Sequence, residues 1–213
     1  MLTLVARRSC PAPLPQHSGR EGFRLALLAR NEATVGGYAA ALRGEGIDAE
    51  PFAADAADAN SLRAAFASVR ERLGDPTVLV YNAAMPAAGL PSALQAEDLV
   101  ASLRVNVVGA LVAAQEVILA MRAAGKGTIL FTGGGLALYP AAQYAALGIG
   151  KAAIRHLAFD LAQELEPEGI RVATITVAGS VQPGSHFDPD TIAESFWQLH
   201  GQEPPAEQEI VYR

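Results

Sequence analysis

Two groups in the second half of the chain are suited to moving a proton. Lys151 lies in the apolar segment GKAAIRHLAFDLAQEL, where an ammonium is costly to bury without a partner. Tyr144 precedes it by seven residues, which places both side chains on one face of a helix, about 10 Å apart along the axis. Tyr144 thus faces the same side as Lys151 but starts about one turn too far toward the beginning of the helix, a gap that a long phenol acting as an acid could partly close. The alternative is that Tyr144 packs at the edge of a cleft.

A second group of residues follows apolar runs that resemble strands, and it suggests a nucleotide ligand. Arg30 comes after one run where an acidic residue could have bonded a ribose, and an arginine there suits a 2′-phosphate. Asp55 follows the next run and could accept a bond from an adenine amine. Asn82, Ala83 and Ala84 follow another, and their small side chains would let a flat ring or ribose approach the backbone. The alternatives are a solvated arginine, a helix cap at Asp55 and close packing at the alanines.

The elements that must position these residues alternate along the chain. The predicted strands cover residues 2–5, 23–30, 47–55, 77–83, 127–133, 170–179 and 209–213. The predicted helices cover residues 31–46, 61–75, about 97–125 and 140–168. A last helix is predicted to begin at Pro189, with Asp188 as its cap. Strands separated by helices of this length imply right-handed crossovers. The sequence therefore predicts an α/β protein with a doubly wound parallel sheet, a Rossmann-like fold of three α/β/α layers. Ligands of such sheets bind at the carboxyl ends of the strands.

Composition limits the possible classes of protein. The 213 residues, with a hydrophobic fraction of 51%, are predicted to form one domain over 1–213. The net charge of −6 offers no basic surface for nucleic acid, and we expect no nucleic-acid partner. The longest apolar stretch, Leu99–Met121, is interrupted by Arg104 and Glu116, so we expect a buried helix and no membrane partner. The single cysteine, Cys10, fits a reducing cytoplasm, and the sequence predicts no metal site.

The order and spacing of four of these features resemble the short-chain dehydrogenase/reductase family. The features are Asp55, the Asn82-Ala83-Ala84 turn, Asn106 in the middle of its long helix and Lys151. The resemblance extends from about Phe23 to Val181. It implies an oxidoreductase that uses NAD(P)(H), with NADP preferred on account of Arg30, to interconvert a small carbonyl and an alcohol.

The resemblance also implies roles for individual residues. The family's lysine, matched by Lys151, holds the nicotinamide ribose and assists an acidic tyrosine. Its helix asparagine, matched by Asn106, supports a relay of water and protons. Val181 stands where the family's backbone meets the carboxamide of the cofactor, and Gly179, also expected to contact the cofactor, is the glycine of the family's Pro-Gly pair, here Ala178-Gly179. Family members commonly pair through their two long helices, so we expect a homodimer or homotetramer that binds a small-molecule substrate.

The sequence departs from the family at several positions. Leu147 stands four residues before Lys151, where the family has its catalytic tyrosine, and Gly134 stands where it has a serine. Ala84 replaces a glycine of the turn. These departures are the reason that Tyr144 is considered as a substitute acid.

The largest departure is VARRSCPAPLPQHSGREGF, residues 5–23, where the family has a glycine-rich phosphate loop and a helix. Its prolines remove backbone donors and disfavour helical angles in the residues before them. Residues 6–20 are therefore expected to form an atypical loop, with disorder as one alternative. The segment suggests either a locally shifted reading frame or a lineage that abandoned the phosphate loop. The function hypotheses are accordingly an oxidoreductase, or a non-catalytic nucleotide-binding or assembly protein on the same fold.

Overall fold

The computed structural model describes residues 2–5, 22–202 and 207–213. The expectation of an atypical loop over residues 6–20 falls outside the described residues. Within them, seven strands form one parallel sheet in the order β3-β2-β1-β4-β5-β6-β7. The strands are β1 (Leu2–Val5), β2 (Leu25–Ala29), β3 (Ala49–Ala53), β4 (Val78–Tyr81), β5 (Gly127–Thr132), β6 (Ile170–Val177) and β7 (Glu209–Tyr212).

Helices cover both faces of this sheet. They are α1 (Glu32–Gly44), α2 (Ala59–Leu73), α3 (Ala96–Ala124), α4 (Ala145–Leu165) and α5 (Pro189–Gly201). Residues of α2, α3 and α4, such as Phe66, Val117 and Ile154, share one core cluster, whereas Val35 of α1 and Phe196 of α5 belong to another. The predicted three-layer α/β/α fold with a doubly wound parallel sheet is confirmed.

The strand order explains where a ligand would bind. From β1 the chain winds outward to β3 on one side, and from β4 it winds outward to β7 on the other. The winding therefore reverses between β1 and β4, which is the point where open α/β sheets bind their ligands. The edge formed by the carboxyl ends of the strands, with Ala29, Ala53, Tyr81, Thr132 and Val177 as the last residues of five of them, is called the carboxyl edge below.

Helix starts follow capping rules at three positions. Asp188 caps α5 by accepting a hydrogen bond from the Asp190 N–H, with Pro189 in the first turn, as predicted. Asn31 caps α1. The cap of α2 is Asp58, so the alternative that Asp55 caps this helix is wrong. Asp55 instead accepts from the Ala57 N–H at 2.9 Å in the turn before the helix.

The start of α4 differs from the prediction. The helix begins at Ala145, so the expectation that Pro140 occupies its first turn is wrong. The cause is a contact with a distant segment: the Gly89 N–H donates to the Gln143 C=O at 2.8 Å, and the Ala145 N–H donates to the Gly89 C=O at 3.4 Å. These bonds form an isolated parallel bridge between Gly89 and Tyr144. The segment before α4 is thus held in a pairing that a helix would break.

Helix α3 is, among the described residues, the one helix long and apolar enough to cross a membrane by length and composition. Its contacts are those of a core helix, since it packs against α2 and the sheet. It contains one π-helical turn, Arg104–Val108, in the middle. Such turns occur frequently at functional sites.

Candidate active site

Lys151 reaches the carboxyl edge from the second turn of α4. Its ammonium donates a hydrogen bond to the C=O of Thr132, the last residue of β5, at 2.7 Å. Among the described residues no other partner of this ammonium is found, so two of its three N–H groups remain available. Burial lowers the pKa of Lys151 to about 8. The group therefore exchanges its proton within the range of pH in which enzymes work.

The loop after β5 positions the side chain of Lys151. Gly133, Gly134 and Gly135 follow Thr132, and a Cβ added at Gly134 would lie 3.3 Å from the methylene groups of Lys151. At Gly135 a Cβ would lie 2.7 Å from the Cα of Ala178, so the loop packs closely on the end of β6. The absence of side chains along this loop lets the aliphatic part of Lys151 lie directly across Gly134.

Leu147, one turn before Lys151 on α4, is partly exposed and carries no polar group. It faces the same side of the helix as the lysine because four residues make about one turn. Neither Leu147 nor Gly134 offers a hydroxyl to a substrate oxygen.

Asn106 lies in the π-turn of α3 with 1% of its surface exposed, and its hydrogen bonds are local. Its Oδ1 accepts from the Met85 N–H at 2.9 Å, and its Nδ2 donates to Ser102 Oγ at 2.9 Å and to the Met85 C=O at 3.5 Å. The amide therefore holds the segment that follows the Asn82-Ala83-Ala84 turn. The spacing of Ser102 and Asn106, one helical turn apart, is a signal that sequence reasoning could have used.

The π-turn also has a partner in the sheet. In a regular α-helix the Gly109 N–H would donate to the Val105 C=O, but in the π-turn it donates to the Arg104 C=O. The Val105 C=O instead accepts a hydrogen bond from the hydroxyl of Tyr81. Burial, with a smaller contribution from the charge of Asp55, raises the pKa of Tyr81, which keeps the hydroxyl protonated as a donor. The last residue of β4 thus holds the turn that carries Asn106.

Gly150, which precedes Lys151 in α4, packs directly against Asn106. A Cβ added at Gly150 would lie 2.9 Å from the Cβ of Asn106 and 3.0 Å from its Nδ2. Only a residue without a side chain lets α4 approach the π-turn this closely. Two candidate residues from distant parts of the sequence, Asn106 and Lys151, are thereby brought to adjacent elements.

Tyr144 lies outside α4, at the position that precedes its first turn. Its backbone angles, φ −126° and ψ 37°, are not helical, and its side chain is 42% exposed. The assumption that Tyr144 and Lys151 share a helix face is therefore wrong, because the helix has not yet begun at Tyr144. Its role as an acid stays a prediction.

The residues expected to bind the cofactor follow the ends of several strands. Arg30 is exposed after β2, Asp55 follows β3, and Asn82–Ala84 follow β4 with Ala83 buried. The order of these strands puts all three positions along the carboxyl edge, on the side of the sheet that leads from β4 out to β3.

Gly179 and Val181 follow β6 and are both exposed. Gly179 packs against the ring of Phe187, which occupies the space that a side chain at Gly179 would need. The Ala178 N–H donates to the Tyr212 C=O at 2.8 Å and extends the pairing of β6 with β7 to this point. The backbone that leads into Gly179 is therefore fixed at the carboxyl edge.

Two atoms of Thr132 contribute to the site. Its C=O accepts the hydrogen bond of Lys151, and because this is a backbone contact, the residue type at position 132 does not predict it. Its Oγ1 is buried and, within the described part of the chain, has no hydrogen-bond partner. An unpaired buried hydroxyl costs about 1–3 kcal/mol, which a polar ligand group would offset.

These observations fit the nicotinamide half of a dinucleotide cofactor. A ribose presents hydroxyls that can accept the two available N–H groups of Lys151 and pair with the hydroxyl of Thr132. The half of the site that would contact the pyrophosphate falls within residues 6–21, outside the described residues. Among the residues that the structure describes, no cluster of three or more acidic, histidine or cysteine residues is placed to hold a metal ion.

Comparison with known proteins identifies the family. A sequence profile of the family described as short chain dehydrogenase matches residues 14–184. The chain therefore belongs to the short-chain dehydrogenase family of oxidoreductases, as its motifs predict.

Individual relatives agree with this assignment. The chain is 30% identical over 181 residues to 2-(S)-hydroxypropyl-CoM dehydrogenase 3 of Xanthobacter autotrophicus (strain ATCC BAA-1158 / Py2), an alignment that covers 82% of this chain and 71% of the relative. It is 29% identical over 190 residues to 2,3-dihydro-2,3-dihydroxybenzoate dehydrogenase of Bacillus subtilis (strain 168), covering 89% and 69%. A metagenomic short-chain oxidoreductase, solved in complex with NADP, superposes with a TM-score of 0.89 at 25% identity, over 100% of this chain and 96% of that one.

Proposed function

We propose that the protein is an NADP(H)-dependent oxidoreductase that interconverts a small carbonyl compound and an alcohol. The observation that carries the proposal is the ammonium of Lys151, held at the carboxyl edge by the Thr132 C=O with two N–H groups available. An ammonium held in this way suits both the ribose of a nicotinamide cofactor and the oxygen of a carbonyl substrate. When bound, the nicotinamide supplies or accepts the hydride.

The preference for NADP rests on Arg30. Its side chain is exposed after β2, and an arginine at this position can pair with a 2′-phosphate through several N–H groups. Asp55 and Asn82–Ala84 would contact the adenine and ribose groups, and the backbone at Gly179 and Val181 would meet the carboxamide.

The proposal gives different roles to the candidate residues Lys151, Asn106 and Tyr144. Lys151 is the catalytic residue that touches the reacting groups, and Asn106 is a positioning residue that acts through the backbone of Met85. Tyr144 is a candidate for contact with an entering substrate, since its side chain is 42% exposed.

Exposed apolar side chains in the loops after β4, β5 and β6 support a small apolar substrate. Leu90, Tyr139, Tyr144 and Val181 are each between 38% and 57% exposed and belong to the loops after β4, β5 and β6. Uncharged aromatic carbonyls are therefore the probes that we would use first.

The proposal further includes that the protein forms a homodimer or homotetramer and that it lies in the cytoplasm. Val100, Val108 and Leu119 of α3 and Ile149 of α4 are apolar and between 46% and 77% exposed, which supports pairing through these two helices. On the alternative function, a non-catalytic nucleotide-binding or assembly protein, such pairing would be the main role of the fold.

Fluorescence titration with NADPH and NADH tests the proposal, because nicotinamide emission rises and shifts to the blue on binding. We expect micromolar binding, tighter for NADPH, and at least about a tenfold loss of NADPH affinity in Arg30→Ala. Arg24→Ala is the matched control, since Arg24 is exposed before the other end of β2 and pairs with Asp48. Absence of binding at millimolar cofactor would favour the non-catalytic alternative.

A further inference from the structure

We propose that the ammonium of Lys151 itself gives the proton to the substrate oxygen during carbonyl reduction. This inference rests on the proposed function, and it assigns to the lysine a step that the family's tyrosine would perform. It concerns the identity of the acid and leaves the hydride chemistry of the cofactor unchanged.

Lys151 is the donor that the geometry favours at the end of β5. Its single protein hydrogen bond, to the Thr132 C=O at 2.7 Å, fixes the ammonium and leaves two N–H groups available among the described residues. One of these can bond the cofactor ribose and the other a substrate oxygen. The methylene groups of Lys151 lie across Gly134, in the space that the side chain of a serine at this position would enter.

The other hydroxyls near the cleft are less suitable. Tyr144 precedes the helix, is 42% exposed and is tied by its backbone neighbours to Gly89. Tyr139 is 57% exposed. The hydroxyl of Thr132 is buried, so it can hold a ligand, but an aliphatic hydroxyl is too weak an acid to protonate a carbonyl oxygen on its own.

The surroundings of Lys151 suit a group that must give up a proton and regain it. Burial is the cause that lowers its pKa to about 8, and no charged neighbour contributes to this shift. On its own helix, the next basic residue is Arg155, which is paired with Glu209. The described contacts of its side chain are with the Thr132 C=O and with Gly134, and the π-turn packed against the neighbouring Gly150 carries the neutral amide of Asn106.

The step is balanced in atoms and charge. When bound, the reduced nicotinamide would supply the hydride for the new C–H bond at the carbonyl carbon, and the electron pair of the C=O π bond would move to oxygen. The N–H bond of Lys151 breaks as the O–H bond of the alcohol forms. The lysine is left as a neutral amine, which regains a proton from water after the product leaves.

Two lysine variants and one tyrosine variant test this assignment. Lys151→Arg keeps the positive charge and the donors but cannot release its proton in this range of pH. With saturating NADPH and 4-nitrobenzaldehyde as the probe, we expect its kcat to fall at least about 100-fold while its NADPH affinity changes less than tenfold. The matched control is Lys126→Arg, an exposed lysine before β5 at the opposite edge of the sheet, for which we expect unchanged kcat.

Tyr144→Phe separates this inference from the proposed function. We expect its kcat to fall less than tenfold, whereas a loss of about 100-fold with Lys151→Arg still active would overturn the lysine assignment and leave the oxidoreductase intact. Failure of the unaltered protein to bind NADPH or to reduce any of a panel of uncharged aromatic carbonyls would overturn the function and the inference together.

A measurement without turnover completes the test. Acetylation of Lys151 by an amine-reactive ester, followed by mass spectrometry of the chain without cofactor, reports the fraction of neutral amine at each pH. We expect half-maximal labelling near pH 8, with Lys126 as the internal reference, and protection of Lys151 by NADPH. Labelling that rises only near pH 10.5, or that NADPH leaves unchanged, would contradict the assignment.

Discussion

Asn106 and Lys151 are both polar groups in apolar helices, but the fold uses them differently. Asn106 is almost fully buried, and its amide forms hydrogen bonds with Met85 and Ser102. Within the described part of the chain, Lys151 has one hydrogen bond to the protein, and burial disfavours its charged form. The presence of Asn106 is thus explained by the structure it supports, whereas the position of Lys151 is explained only by a ligand. Burial cost alone is therefore an argument for function at Lys151 and not at Asn106.

The largest effect on stability is expected at Asn106. Asn106→Ala leaves the Met85 N–H and the Ser102 hydroxyl without their partner and creates a small cavity, which should lower the free energy of unfolding by about 3 kcal/mol. Urea denaturation measures this loss. Gln115→Ala, an exposed amide on the same helix, should change it by less than about 0.5 kcal/mol.

Kinetics of Asn106→Ala at low temperature distinguish a positioning role of Asn106 from a role in proton transfer. If Asn106 acts by holding the segment at Met85, KM for the carbonyl rises and the pH dependence of kcat is unchanged. A changed pH profile would place Asn106 in the proton transfer itself.

A smaller effect is expected from Lys151→Met, and it depends on pH. The pKa of Lys151 is about 8 in the folded chain and near 10.5 when unfolded, so below pH 8 both states hold the proton and the buried charge destabilises the fold. Between these values the folded state has lost its proton and the unfolded state has kept it, so the penalty is relieved as pH rises. From pH 7 to 10.5 the wild type should gain up to about 3 kcal/mol relative to the variant, a limit that solvent screening of the partly exposed side chain lowers.

Chemical denaturation at several pH values measures this gain. A difference between wild type and Lys151→Met that stays constant from pH 7 to 10.5 would mean that the ammonium is not buried in the way described.

The smallest effect is expected at the π-turn that carries Asn106. Tyr81→Phe removes the hydroxyl that donates to the Val105 C=O and should lower the free energy of unfolding by about 1–2 kcal/mol. Tyr38→Phe, at an exposed tyrosine of α1, should be neutral within about 0.5 kcal/mol. Equal effects of the two substitutions in thermal denaturation would show that Tyr81 does not support the turn.

The scaffold could be predicted because its signals are local. Strands of consecutive apolar residues, Asp188 as a cap and Pro189 in a first turn each depend on neighbours in sequence. The start of α4 could not, because it depends on Gly89, more than fifty residues earlier. The same distinction between local signals and distant contacts applies to the candidate active site.

Lys151 was identified from its residue type and spacing, whereas its partner is a backbone carbonyl that any residue at position 132 would supply. The role of Asn106 depends on Met85, which reaches it from a different element. The burial of Asn106 therefore needs no ligand, since its hydrogen bonds are satisfied within the protein.

The pH dependence of kcat for wild type and Lys151→Arg, with saturating NADPH and 4-nitrobenzaldehyde, tests the central claim most directly. Reduction requires protonated Lys151, so kcat of the wild type should be constant at low pH and fall about tenfold per pH unit above the pKa that Lys151 has in the complex with cofactor and substrate, while Lys151→Arg should be slow and independent of pH. A wild-type kcat that stays constant up to about pH 10.5, or the same decline in Lys151→Arg, would contradict the account.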